Sequence, residues 1–316
     1  MTTTVPASVP APDGRGGIAD SRLRCRNLSL GYDGATVVER LDLDVLSGVV
    51  TVILGPNGSG KSTLLRGLAR LLDPRHGVVL LDGRVIGDVD SREVACALSV
   101  LPQGPQAPDG LSVAELVSYG RYPHRKGALQ TLGRADRLLI GDALRMTGLE
   151  DEAERPLSAL SGGQRQRAWI AMAIAQDASI LLLDEPTTFL DLSFQLEVLE
   201  LLRRLNRDQG RTVVMVMHDI NHAARYGDHL IAMAGGTIVA QGRPEEVVTR
   251  GVLRNVFGVE AELLRDPRTG SVVCVAYAAT PGSDRRRTIQ AALPWGAWGE
   301  PSSANLALES TPSSST

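Results

Sequence analysis

Gly55-Pro56-Asn57-Gly58-Ser59-Gly60-Lys61-Ser62-Thr63 follows a near-unbroken apolar run at 49–54 and precedes a helical pattern over about 61–72. Strand, glycine-rich turn and helix in that order fit the pattern G-x-x-x-x-G-K-[ST]. The chemistry explains the pattern. A phosphate chain needs several backbone N–H groups pointing inward, and glycines allow the positive φ and the close approach this requires. The helix that follows aims its positive end at the same anion. Lys61 is placed to reach the β- and γ-phosphates of a nucleotide, and Ser62 to ligate Mg²⁺.

Working outward, residues 180–183 and 213–217 form two more apolar runs, each the length of a strand. Near-unbroken apolar strands belong to a sheet covered on both faces. Leu196, Leu199, Leu202 and Leu205 mark a helix between 191 and 204, and 230–240 reads as a hairpin around Gly235-Gly236. Residues 102–160 differ. Val113, Leu116 and Val117 recur with helical spacing, as do Leu139, Ala143 and Met146, and strand signals are few. The expectation is an α/β domain over 21–280 with a largely parallel sheet and a helical insertion at about 102–160. Residues 1–20 and 281–316 are rich in Pro, Ser, Thr, Ala and Gly and read as disordered tails. The second contains Trp295, Trp298 and three arginines at 285–287, the latter read as a solvated basic patch.

Composition narrows the function. The net charge is −3, and nothing in the composition suggests a polyanion binder, which usually carries a basic stripe and a high pI. Cys25, Cys96 and Cys274 are far apart, which argues against zinc fingers and disulfide frameworks and fits a reducing compartment. No apolar run approaches the roughly 20 residues of a membrane span, and the N-terminus lacks signal-peptide character. A membrane role has to come through a partner.

The run at 180–183 ends in Asp184-Glu185. Asp184 at a strand tip suits support of Mg²⁺ beside Ser62, and Glu185, one residue on, suits polarising an attacking water. Adjacent carboxylates also occur in capped turns, and it is the phosphate loop elsewhere in the chain that favours the catalytic reading. Leu160-Ser161-Gly162-Gly163-Gln164 then precedes a helix expected over about 166–175. A Ser-Gly-Gly at a helix N-terminus offers hydroxyl and free N–H donors to an anion, a second phosphate-binding device in one chain.

With these motifs in this order, the chain resembles the ATP-binding cassette (ABC) family over nearly all of its length between the tails. The resemblance implies a P-loop NTPase core of the ABC ATPase type with an inserted α-helical subdomain. It implies that Ser161, Gly162, Gly163 and Gln164 bind the γ-phosphate of ATP held by the phosphate loop of a second copy. Tyr32 matches the aromatic that stacks on adenine, and Gln103 the glutamine that senses Mg²⁺ and the attacking water. Leu190-Asp191 matches the loop at the dimer interface, and His218 the histidine on the γ-phosphate. Read alone, Tyr32 is equally a surface aromatic, Gln103 a loop amide and His218 a structural histidine. The spacing of His218 and His222 is also that of a helical zinc site, but Asp219 stands where such a site has glutamate, and no third ligand is evident.

The implied partners are a second identical ATPase subunit, the membrane subunits of an ABC permease and, indirectly, a substrate-binding protein. The implied place is the cytoplasmic face of the membrane, as a peripheral subunit. DNA-repair cassettes carry a long coiled coil between the phosphate loop and the signature. Here only about a hundred residues intervene. Ribosome-associated types carry two cassettes, and exporters often fuse theirs to membrane spans. A separate importer subunit is therefore expected. Residues 118–125, 167–173, 188–192 and 218–226 resemble the ATPases of ferric-siderophore importers, with a departure at Ser193-Phe194-Gln195 from the His-Gln pair of that subgroup. The alternatives are a cobalamin or haem importer ATPase and, in another class, a nucleotide-dependent regulator without a permease.

Overall fold

The computed structural model describes residues 21–125 and 131–280. The tails expected at 1–20 and 281–316 lie outside the described residues, as do residues 126–130 of the expected insertion. The chain begins with β1 (Leu23–Tyr32), β2 (Ala35–Val45) and β3 (Val50–Leu54), then α1 (Lys61–Leu68), β4 (His76–Leu81) and β5 (Arg84–Val85). Next come α2 (Ser91–Ala97), β6 (Leu98–Leu101), α3 (Val113–Tyr119), α4 (Arg134–Met146) and α5 (Gly162–Ala175). Then β7 (Ile180–Asp184), α6 (Leu192–Gln209), β8 (Thr212–Val216), α7 (Ile220–Tyr226), β9 (His229–Ala234) and β10 (Thr237–Gly242) alternate. Short helices α8 (Pro244–Val247) and α9 (Arg250–Val252) lead to a last hairpin, β11 (Val259–Arg265) and β12 (Val272–Ala279).

The main sheet runs β10-β9-β3-β8-β7-β6, parallel from β9 to β6 with β10 antiparallel at one edge. Every residue of β3, β7 and β8 is buried, because each face of the sheet has its own core. Val52, Leu54, Leu181, Leu183, Val213 and Met215 face one core, which holds α5 and α6. Ile53, Ile180, Leu182, Val214 and Val216 face the other, with Leu64, Leu65 and Leu68 of α1. This period-two division is what a strand with two covered faces produces. Each fully buried Leu, Ile or Val contributes on the order of 1.5–3 kcal/mol.

A second sheet, β2-β1-β4-β5, closes the far side of the α1 core and was not foreseen. Its alternation is broken. The β1–β2 register shifts between Cys25 and Leu28, Leu28 and Leu30, and Leu30 and Gly31, and both Asn27 and Arg40 have positive φ. Helix α1 is shorter than expected. Arg70 turns left-handed at φ 58°, and the Leu71 N–H bonds back to the Arg66 carbonyl at 2.8 Å. Helix α6 is longer, running to Gln209 before Gly210 at φ 66° ends it.

Within the described part of 102–160, the secondary structure is helical apart from one isolated bridge between Ser112 and Pro156. Helices α3 and α4 bury Val113, Leu116, Val117, Ile140, Ala143 and Leu144 against α5. One polar junction fastens this insertion to the sheet. The buried Arg121 donates through Nη1 to the carbonyls of Ala175 (2.9 Å) and Gln176 (3.2 Å), and through Nε to Asp136 (2.9 Å). That last bond holds the Asp136 carboxyl below its usual pKa. His124 Nε2 donates to the Gln176 carbonyl at 2.7 Å. The Gln176 amide donates to the carbonyls of Ala95 (2.5 Å) and Leu98 (3.0 Å), where α2 gives way to β6. No helix among the described residues is long and apolar enough to cross a membrane.

Candidate active site

Parallel strands end together, and the loops at their carboxyl ends form the crevice of an open α/β sheet. Here β3, β6, β7 and β8 deliver the phosphate loop, Gln103, Asp184-Glu185 and His218 to that edge. Asn57, Gly58, Gly60, Lys61, Ser62, Thr63, Gln103, Glu185 and His218 line one cavity of about 460 Å³, together with Val37 of β2.

The loop's glycines are set by geometry. Gly55 has φ 155°, and a Cβ there would stand 2.2 Å from the Met233 carbonyl oxygen of β9. Backbone cannot yield that distance cheaply. Gly55→Ala is expected to cost about 3 kcal/mol or more, read as a large fall in the thermal midpoint or loss of soluble protein. An unchanged midpoint would refute this account of the turn. Gly60, at φ 95°, N-caps α1 without a side-chain cap, and no acid occupies the first turn. The positive end of the helix is thus left for an anion. Lys61 is buried, its Nζ donating to the carbonyls of Gly55 and Pro56, each at 2.9 Å. Burial lowers its pKa, and the charges of Glu185 and Asp184 pull it back up. Gly55 and Ser59 are buried beneath the loop, and Pro56 bridges them by accepting the Ser59 N–H at 3.2 Å.

Asp184 is the last residue of β7 and is buried. Its Oδ1 accepts a hydrogen bond from Ser62 Oγ at 2.9 Å. Burial raises its carboxyl pKa, and the Ser62 bond opposes that. A hydroxyl and a carboxylate in contact are hard oxygen donors of the kind Mg²⁺ takes, the rest of its shell being water and substrate phosphate. Glu185 sits at φ 53°, its N–H bonded to the Val216 carbonyl of β8 at 3.2 Å. His218 Nε2 lies 2.5 Å from Glu185 Oε1, and Thr188 Oγ1 donates to Oε2 at 3.0 Å. His218 precedes α7, whose N-cap is Asp219, whereas His222 lies within it, so the two histidines do not share a helical face.

Two expected elements stand elsewhere. Ser161 is the N-cap of α5, and Gly162, Gly163 and Gln164 form its first turn, so the helix starts four residues earlier than expected at Gln166. The cause is a reciprocal cap: Ser161 Oγ accepts from the Gln164 N–H at 3.2 Å, and Gln164 Oε1 from the Ser161 N–H at 3.0 Å. A capping box offsets the poor helix propensity of two glycines. None of these four residues lines the cavity. Tyr32, at the end of β1 and 39% exposed, is also off the cavity wall, and its hydroxyl accepts from Arg66 at 3.3 Å. Asp191 N-caps α6, and Leu190 packs beside Gly163. Sequence reasoning missed Val37, for which the sequence carries no signal, and Thr188, whose signal is its place three residues after Glu185.

A family model described as "ABC transporter" matches residues 38–188. The iron(3+)-hydroxamate import ATP-binding protein of Bacillus subtilis (strain 168) is 49% identical over 255 residues, covering 81% of this chain and 94% of that protein. The ferric enterobactin transport ATP-binding protein of Escherichia coli (strain K12) is 46% identical over 263 residues, covering 83% and 97%. Among solved structures, a dimeric ATP-binding cassette in a post-hydrolysis state with ADP and Pi matches with a TM-score of 0.64 and 31% identity, over 70% of this chain and 98% of that one. The P-loop, the acidic strand tip and the Ser-Gly-Gly helix cap are the parts such an ATPase needs, and the chain belongs to the ABC transporter family as one of its ATP-hydrolysing subunits.

Proposed function

We propose that two copies of this chain work head to tail on the cytoplasmic face of a membrane permease, and that they power import of ferric siderophores. The incomplete cavity supports the dimer. The phosphate loop, Gln103, Glu185 and His218 of one chain line the cavity, while the exposed Ser161 and Gly162 of the same chain lie off it. A second copy turned about a two-fold axis supplies its cap to this cavity and receives the reverse. ATP then holds the pair closed, hydrolysis releases it, and the permease follows as a rigid-body switch.

Within each site the phosphate loop and Lys61 hold the β- and γ-phosphates, and Tyr32 takes the adenine. Ser62 and Asp184 would hold Mg²⁺, with Gln103 near by, and the bound metal would neutralise charge on the phosphate oxygens. Glu185 accepts a proton from water as the water oxygen bonds to the γ-phosphorus. The bond to the bridging oxygen breaks, and ADP leaves with its electron pair. His218 donates to the γ-phosphate.

The cargo assignment rests on one observation. Two relatives at 46–49% identity, each aligned along more than 90% of its length, are ATP-binding subunits for ferric hydroxamate and ferric enterobactin. A deletion strain is expected to lose uptake of radio-iron hydroxamate while cobalamin uptake persists, with restoration by a plasmid copy. Normal ferric-chelate uptake with lost cobalamin or haem uptake would reassign the cargo. Failure to reach the membrane when the permease is co-expressed would favour a free-standing regulator.

A further inference from the structure

We infer that Thr188 is a positioning residue for hydrolysis, its hydroxyl fixing the plane of the Glu185 carboxylate. The inference rests on the reading of Glu185 as the base. The terminal torsion of a glutamate is soft, so one hydrogen bond leaves the carboxylate free to swing. Glu185 has a donor on each oxygen: His218 Nε2 on Oε1 and Thr188 Oγ1 on Oε2. The two donors differ in kind. His218 stands on the loop after β8 with its side chain 45% exposed, and in the proposed mechanism it turns to the γ-phosphate. Thr188 belongs to the same turn as the base. Its N–H donates to the Glu185 carbonyl at 3.2 Å, and the Leu190 N–H donates to the Thr187 carbonyl at 3.3 Å. Left-handed residues bracket this turn, Glu185 at φ 53° and Phe189 at φ 67°, and fold the Thr188 side chain back over the carboxylate. Further support comes from Gln166 of α5, whose amide donates to the Pro186 carbonyl at 3.2 Å. When His218 leaves for the substrate, Thr188 is the anchor that stays.

The test is steady-state ATPase kinetics on the purified full chain. Thr188→Val keeps the shape and removes the donor. It is expected to lower kcat about tenfold, the scale of one hydrogen bond to a charged group, with KM for Mg-ATP within about twofold and the thermal midpoint unchanged. Thr188→Ser is expected to restore most of kcat, and Thr188→Ala to match the valine variant. In a Glu185→Gln background Thr188→Val should cost nothing more. Wild-type kcat in Thr188→Val, no rescue by serine, or an additive loss in the glutamine background would each overturn the inference. An inactive Glu185→Gln beside a fully active Thr188→Val would sink the Thr188 role alone. A fully active Glu185→Gln would remove the base reading and this inference with it.

Discussion

Glu185→Gln is expected to leave Mg-ATP binding near that of the unaltered chain and to cut turnover at least about a hundredfold, the contribution of a positioned general base. The geometry says why the two effects separate. Glu185 stands at the cavity wall with its carboxylate tied to His218 and Thr188, not to the phosphate loop. Glutamine keeps the size and an acceptor oxygen but cannot take the proton of water. With hydrolysis blocked, ATP stays between the two copies, and the pair persists. Initial-rate assays read the loss, nucleotide titration reads the binding, and size exclusion with Mg-ATP reads the trapped dimer. Turnover above about a third of the unaltered rate would mean that the base lies elsewhere.

Lys61→Met should do the opposite. Its Nζ already donates to two loop carbonyls and lies under the field of Asp184 and Glu185. Methionine fills the buried channel of the stem but carries no charge. The charges of Glu185 and Asp184 then face a polyphosphate without the lysine's charge to offset them. Truncating one member of a buried, hydrogen-bonded charge pair costs about 2–5 kcal/mol, a hundredfold or more in Kd for ATP over most of that range. Fluorescent-nucleotide titration measures this, and a thermal melt checks that the fold survives. A change in Kd below about threefold would show that Lys61 does not hold phosphate.

The parts of the molecule readable from sequence share one property: local chemistry and tertiary role agree. The run before Gly55 is apolar because both faces of β3 are covered, and Gly55 itself follows because the Met233 carbonyl crowds the turn from behind. Where the two disagree, reading fails. Gly162-Gly163 argues against helix, yet the Ser161–Gln164 cap makes it one. In β1 the bulges destroy the alternation that marks a strand. The exposed outer residues of β12, Val275 and Tyr277, hide the distinction between its two sides. At the site, the phosphate loop, Asp184 and Glu185 could be proposed from the residues themselves, Gln103 and His218 only through resemblance, and the structure brings Gln103, Glu185 and His218 to one cavity with the loop. The role expected of Tyr32 came only through resemblance, and that of Ser161–Gln164 was suggested by the Ser-Gly-Gly helix start but given its ligand by resemblance, and one copy of the chain brings neither to the cavity. Thr188 was missed because its place three residues after Glu185 is a weak signal, and its contribution is the direction of one hydroxyl, which depends on the left-handed turn around it.

Gln176 sits where three segments are knotted. Its carbonyl holds Arg121 and His124, beside the exposed Tyr122, and its amide grips the start of β6, the strand that runs toward Gln103. The same residue caps the far end of α5, whose other end is Ser161. In the proposed dimer a load placed near Tyr122 would therefore reach two places at once, the Ser161 cap along α5 and Gln103 along β6.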